Sequence, residues 1–230
     1  MQWLQENIFV PGWLWDWARY GLIGLGAYLI GSLNFALIVS RLVFKTDIRS
    51  QGSGNAGSTN SFRVMGKKWG VAVALGDIAK GTAAVVLGGL AAHLLGLEAN
   101  LGRMVAGLAA IAGHCFPLYF GFRGGKGVLT TAVVMLFIDW KMGLLALGVF
   151  AVIVALTRYV SLGSMLAASS LPVTACLLPD RSLGFRVLSF GIAAALILLH
   201  RKNIVRLARG QEGKIGQKRK AEPPPSPDAS

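Results

Sequence analysis

The chain is short of charge, above all of negative charge. Only 14% of its 230 residues are Asp, Glu, Lys or Arg, and just ten are acidic, whereas soluble domains carry about 25% charge. With 54% hydrophobic residues, a soluble protein of this size could not cover its apolar surface. This excludes an ordinary soluble enzyme and predicts an integral membrane protein. Cysteine is scarce as well: Cys115 and Cys176 sit in or beside apolar segments without Cys-x-x-Cys spacing. A disulfide framework is therefore not expected, a zinc site has no ligand set, and both thiols read as small buried hydrophobes. The N-terminus lacks a basic stretch followed by a small-residue cleavage site, so no removable signal peptide is expected. Nor is there an internal repeat of the kind that builds many secondary transporters.

What is present is a series of apolar runs. A span needs about 20 apolar residues, and seven candidates are read: Tyr20–Ser40, Trp69–His93, Gly102–Phe120, Val128–Ile138, Met142–Thr157, Leu162–Leu178 and Leu183–His200. The fourth and fifth are short and separated only by Asp139-Trp140-Lys141. They either cross a thinned bilayer or form a re-entrant hairpin. The expectation is an all-α membrane protein of about seven helices.

The basic residues orient it. One set of loops carries Arg41, Lys45, Arg49, Arg63, Lys67, Lys68, Arg123, Lys126, Arg158 and eight Lys or Arg beyond His200. The other has only Arg19, Arg103, Lys141, Arg181 and Arg186. By the positive-inside rule the first set is cytoplasmic, which puts the N-terminus outside and the C-terminus inside. Trp3, Trp13, Trp15 and Trp17 fit an interfacial anchor at the outer edge. Residues 1–19 read as an interfacial segment, 20–210 as one transmembrane domain, and 211–230 as a basic, then proline-rich, disordered tail. The tail's charge suits anionic lipid headgroups.

Unusual polar residues gather at the cytoplasmic ends of the spans. A loop bracketed by Arg49 and Arg63 reads Gly52-Ser53-Gly54-Asn55-Ala56-Gly57-Ser58-Thr59-Asn60. Its glycines let backbone N–H groups close around an anion, and its hydroxyls and amides add donors, a composition suited to phosphate. Gly124-Gly125-Lys126-Gly127 follows Gly113-His114-Cys115-Phe116-Pro117. It is not a nucleotide-binding P-loop, because Gly127 follows the lysine where that motif needs Ser or Thr; by itself it reads equally well as a tight turn with a snorkelling lysine. Arg158 with Ser161, and His200 with Asn203, complete the group.

Several of these residues carry two readings. Asp77 and Lys80 lie three apart on one helix face, either as a neutralising ion pair or with Asp77 orienting Lys80 toward a bound anion. Ser32 suits a bond back to a helix carbonyl better than nucleophilic chemistry, for want of a neighbouring base. His114 and His200 suit either a helix-end hydrogen bond or service as base or phosphate ligand. His93, at the outer edge, reads as uninvolved, and Glu212 as the partner of a nearby Lys or Arg.

At these residues the chain resembles the bacterial acyl-phosphate:glycerol-3-phosphate acyltransferases of the PlsY type, from about Gly31 to about Lys214. Three blocks carry the likeness. The first runs from Gly31-Ser32 through Asp47-Ile48-Arg49 to the Gly52–Asn60 loop and Arg63. The second is Gly113-His114-x-Phe116-Pro117 with Phe122-x-Gly124-Gly125-Lys126-Gly127-Val128. The third is Arg158-Tyr159-x-Ser161-Leu162 with His200-x-x-Asn203-Ile204-x-Arg206-Leu207, Gly210 and Glu212. Ser58 and Leu129 stand where the family more often has alanine.

The resemblance implies acyl transfer from an acyl-phosphate to the 1-hydroxyl of glycerol 3-phosphate, giving lysophosphatidate and phosphate. It implies a multi-pass enzyme of the bacterial inner membrane with its site facing the cytoplasm, with no cofactor, metal, nucleic acid or obligate protein partner. It assigns catalysis to Ser32, Arg49, His200 and Asn203, glycerol 3-phosphate to Gly124–Gly127, and a structural role to Glu212. A transporter of a phosphorylated solute is the alternative the residues leave open, and a lipid-binding scaffold would leave the glycine-rich loops unexplained.

Overall fold

The computed structural model describes residues 12–216; Trp3 of the expected anchor and the basic, proline-rich end of the tail lie outside them. Ten α-helices and no strand occur among the described residues: α1 (Gly12–Gly31), α2 (Phe35–Leu42), α3 (Ser58–Val64), α4 (Gly66–Leu94), α5 (Ala99–Cys115), α6 (Val128–Ile138), α7 (Trp140–Thr157), α8 (Val160–Leu177), α9 (Leu183–Leu199) and α10 (Arg201–Ala208). The apolar excess lies outside. Leu22, Leu75, Leu90, Leu156 and Leu177 are exposed, while Asp77, Lys80, His114 and Asn203 are buried, the arrangement expected when the surrounding solvent is hydrocarbon.

Five stretches are long and apolar enough to cross a bilayer: Gly12–Leu42, α4, Ala99–Phe120, α7 and α8. A sixth forms if α9 and α10, which meet at 59°, act together. Against the seven expected, α6 makes the difference. Its 11 residues rise about 16 Å at 1.5 Å per residue, half of a hydrocarbon core of about 30 Å. Its partner is longer than expected, since α7 has 18 residues. Asp139 turns the chain between them, ending α6 and capping α7 through Met142 N. Arg181, 2.5 Å from the Asp139 carboxylate, ties this end to the α8–α9 connection. α6 ends and α7 begins at Asp139, and α7 is seven residues longer, about 10 Å of helix.

The first span is broken as well. Residues 32–34 are not helical because Asn34 caps α2 through Leu37 N and donates to the Ala56 carbonyl. Asn34 is fully buried.

Two helical clusters form the core. In the first, α1, α4 and α5 meet through small residues that let backbones approach closely: Gly88 and Ala92 on α4 face Gly102 and Ala106 on α5. In the second, Met135, Met142, Ala168, Leu171, Ile192 and Leu196 join α6 to α9. Of the two thiols, Cys115 is buried as expected. Cys176 is exposed on the apolar exterior of α8, where a small apolar group needs no burial in protein.

A Cβ at Gly113 would stand 2.8 Å from Ser32 N and 2.9 Å from the Gly31 carbonyl carbon. Gly113→Ala is therefore expected to destabilise the protein by about 1–3 kcal/mol through overpacking, read as a lower thermal-unfolding midpoint in detergent. An unchanged midpoint would show that α1 and α5 part easily.

Candidate active site

The helix breaks at 32–34, 116–127, 158–159 and 200 share one end of the bundle, and a cavity of about 230 Å³ opens among them. Its wall changes character along its length. The end near the loops is lined by Ser53, Asn55, Arg63, Lys126, Ser161 and His200; the other end runs between helices past Met135, Ala146, Phe150, Leu171 and Leu196. A polar mouth thus leads into an apolar body.

Glu212 fastens the mouth. Its carboxylate accepts from Ser161 Oγ at 2.8 Å and Asn203 Nδ2 at 2.6 Å, and from Arg206 Nε at 2.7 Å. One group so joins α8, α10 and the tail, and Lys126 Nζ donates to Asn203 Oδ1 to bring in the second glycine loop. Burial would raise the Glu212 carboxyl, but these donors outweigh it and hold it below the usual carboxylate range. Burial pushes Lys126 down to about 8, with Glu212 pulling the other way. The expected pairing of Glu212 with a nearby cation is met by Arg206.

A second cluster backs the wall where Asp77 and His114 line it. Lys80 Nζ lies 2.7 Å from Asp77 Oδ1, 2.9 Å from His114 Nδ1 and 3.0 Å from the Leu33 carbonyl. Asp77 and Lys80 form an ion pair, and Lys80 is not among the residues that line the cavity. His200 Nδ1 lies 2.7 Å from the Leu196 carbonyl, with the ring on the cavity wall.

The glycine loops are built by close approach. Gly124 N and Gly125 N donate to the carbonyls of Cys115 and His114, and a Cβ at Gly125 would run into His114 Nε2 and stand 2.6 Å from the Ala56 carbonyl. Gly127, at φ +74°, lies in the left-handed region that favours glycine. In the first loop the Asn60 side chain accepts from Ser53 N and donates to the Ile48 and Gln51 carbonyls.

Of the residues singled out in the sequence, the cavity brings together Ser53, Asn55, Gly57, Thr59, Asn60, Asp77, His114, Lys126, Gly127, Ser161, His200, Asn203 and Glu212. Ser32, Arg49, Gly52, Gly54, Lys80, Gly124, Gly125 and Arg158 stand off its wall. Ser32 Oγ accepts from Leu118 N in place of the expected helix carbonyl. Arg49 grips Asp47 at 2.9 and 2.7 Å and the carbonyls of Phe120 and Arg123 at 2.9 and 3.0 Å. The Arg49 hydrogen bonds hold Asp47 well below the usual carboxylate range. Arg158 and Ile215 exchange bonds, Ile215 N to the Arg158 carbonyl and Arg158 Nη2 to the Ile215 carbonyl.

Two residues escaped the sequence reading. Asn34 carried only a weak signal, a lone amide inside a span. Thr131 gave none, yet its hydroxyl is buried on the cavity wall without a partner among the described residues.

The glycerol-3-phosphate acyltransferase family profile matches residues 21–210. The chain belongs to that family. A glycerol-3-phosphate acyltransferase of Clostridioides difficile is 42% identical over 200 residues, 87% of this chain and 97% of the relative. One of Thioalkalivibrio sulfidiphilus is 47% identical over 85% of this chain and 94% of its own. Among solved structures, the glycerol 3-phosphate form of PlsY (YgiH), an integral membrane glycerol 3-phosphate acyltransferase, superposes with a TM-score of 0.76. It is 34% identical and covers 86% of this chain and 96% of that one. The lysophosphatidic acid form gives a TM-score of 0.72 at 33% identity, covering 86% and 95%. The bundle is thus a multi-pass membrane acyltransferase.

For this acyltransferase, Glu212→Ala should cost about 1–3 kcal/mol by leaving half-buried donors on Asn203 and Arg206 unpaired. It should also loosen α10, read as faster amide exchange over 201–208. Exchange unchanged there would mean that α10 is held from elsewhere.

Proposed function

We propose that the cavity takes both substrates at once, an acyl-phosphate and glycerol 3-phosphate, and transfers the acyl group to the 1-hydroxyl, releasing lysophosphatidate and inorganic phosphate. The observation that carries the reading is the single cavity with a cationic, hydroxyl-rich mouth and an apolar body. Two phosphates suit the mouth, one fatty chain suits the body, and the reacting carbonyl then falls where the lining changes. The distribution of Lys and Arg supports a mouth on the cytoplasmic side of the inner membrane.

The chemistry asks little covalent help, because an acyl-phosphate is an activated anhydride with a good leaving group; positioning and charge stabilisation dominate. His200 supplies the base. The Leu196 carbonyl can only accept, so Nδ1 carries the proton and Nε2 keeps its lone pair toward the cavity. The hydroxyl proton passes to Nε2 as its oxygen attacks the carbonyl carbon, and the bond to phosphate breaks with its electron pair leaving on phosphate. Lys126 meets the phosphate charge, with Arg63, Ser53 and Asn55 as further donors. Asn203, Ser161 and Glu212 hold Lys126 in place. Ser32 and Arg49 act as positioning residues, by fixing the 118–123 segment that carries the second glycine loop. Gly52, Gly54, Gly57, Thr59, Asn60 and Arg158 shape the loops and the tail around the mouth.

Protein in detergent or bilayer, supplied with palmitoyl-phosphate and glycerol 3-phosphate, should release phosphate, and His200→Gln should lower kcat by about 10²–10⁴-fold. Turnover on acyl-CoA but not on palmitoyl-phosphate would overturn the donor assignment.

The affinity for glycerol 3-phosphate should follow Lys126. Its folded pKa of about 8 lies below the ordinary lysine value of 10.5, so the cation is complete at pH 7 and lost as pH rises through 8. KM for glycerol 3-phosphate should rise between pH 7 and pH 9, and Lys126→Arg, which stays charged, should flatten that rise. The same slope in both proteins would remove Lys126 from the phosphate site.

A further inference from the structure

We propose that His114 is a second catalytic histidine of opposite polarity to His200. It donates a hydrogen bond from Nε2 to the carbonyl oxygen of the acyl donor as that oxygen gains negative charge. Lys80 is the positioning residue that keeps the His114 ring in the donating form. The inference rests on acyl transfer in the cavity and not on which acyl donor is used, since every acyl donor presents that oxygen.

The argument starts at Lys80. An ammonium has three hydrogens to give and no lone pair; Nζ donates to the Leu33 carbonyl at 3.0 Å and meets His114 Nδ1 at 2.9 Å, with the Asp77 carboxylate 2.7 Å away as its charge partner. With no lone pair on the ammonium, the hydrogen between Lys80 and His114 belongs to Lys80. His114 Nδ1 accepts. A doubly protonated ring would set N–H against N–H at 2.9 Å, and Asp77 Oδ1, at 3.5 Å from Nδ1, is too far to compensate. The buried cluster is thus one carboxylate, one ammonium and one neutral imidazole, with no net charge.

A neutral ring that accepts at Nδ1 carries its proton on Nε2. That nitrogen has no hydrogen-bond partner among the described residues, and His114 lines the cavity. Gly125 leaves it uncovered, because a Cβ there would run into Nε2. The next residue is Lys126, whose ammonium meets phosphate, and from Gly127 the wall continues along α6 through Thr131 to the apolar Met135. A donor with its head at the polar mouth and its chain along α6 brings its carbonyl oxygen past Nε2.

The step balances. The glycerol oxygen forms its bond to the carbonyl carbon while the hydroxyl proton goes to His200 Nε2. The carbonyl pair moves onto oxygen, where the His114 Nε2–H stabilises it, then returns as the bond to the leaving group breaks. His114 neither gains nor loses a proton, so it is a donor and not a base.

The test is steady-state kinetics on His114→Leu, His114→Gln and His114→Asn, with palmitoyl-phosphate and with palmitoyl-CoA in parallel. The glutamine amide reaches the Nε2 position; the asparagine amide reaches only Nδ1 and still faces Lys80. His114→Leu and His114→Asn should lose about 10²–10³-fold in kcat, the cost of one oxyanion donor. His114→Gln should stay within about tenfold of wild type, and KM for glycerol 3-phosphate should change less than about threefold in all three. If the leucine variant does not fold, the Asn–Gln comparison carries the result. Lys80→Met should lower kcat in the wild-type background and add little to His114→Leu, the non-additivity of residues acting as a unit. Equal inactivity of His114→Gln and His114→Asn, a loss confined to KM, or full activity of His114→Leu would each overturn the assignment. Additive losses for Lys80 would overturn its positioning role. A wrong donor assignment would appear separately, in the wild type, as turnover on palmitoyl-CoA alone.

Discussion

Inside hydrocarbon a helix may be interrupted only where something replaces the lost backbone hydrogen bonds, and the architecture follows from that constraint. Polar side chains do this at several of the interruptions and in the loops beside them. Lys80 takes the Leu33 carbonyl, Asn34 the Ala56 carbonyl, Arg49 the carbonyls of Phe120 and Arg123, and Arg158 the Ile215 carbonyl. Because the interruptions share one end of the bundle, so do these side chains, and the space left among them is the cavity. Chemistry and backbone repair draw on the same residue types at the same place.

This explains what was legible in the sequence. Lys80, Arg49, Arg158 and the asparagines stood out because cations and amides are costly near hydrocarbon, and they gather at the end of the bundle where the cavity opens. Polarity gives location but not partner. Lys80, read as ion-pair partner or anion ligand, and Arg49, assigned to catalysis, have their donors committed to carbonyls and carboxylates or, for Lys80, also to a histidine, whereas Lys126, a weaker signal within a glycine turn, reaches the cavity. Glu212 was read correctly because a lone acid in a basic tail has few alternatives. Thr131 was invisible because a threonine within an apolar run normally bonds back to its own helix, and only packing shows that it does not. The shortness of the fourth segment was legible from its residue count, and α6 has the 11 residues read for it.

The two histidines carry a general lesson about reading titratable groups. Both lie on the cavity wall and both have Nδ1 engaged at similar distances, 2.7 Å to Leu196 and 2.9 Å to Lys80. The partners differ in kind: a carbonyl compels Nδ1 to donate and an ammonium compels it to accept, so the free nitrogens face the cavity with opposite character. Identity and exposure alone would have made them equivalent.

The shortness of α6 has a consequence for traffic. α7 is seven residues longer than α6, about two helix turns, so α6 leaves the glycine turn that carries Lys126 short of a full crossing. In the proposed reaction a water-borne alcohol takes the polar mouth and a fatty chain takes the apolar body between the helices, so the two reactants need different routes to one cavity. The product of that reaction keeps the glycerol phosphate at one end and the fatty chain at the other, so one molecule spans both parts of the cavity and its chain already lies on the lipid side.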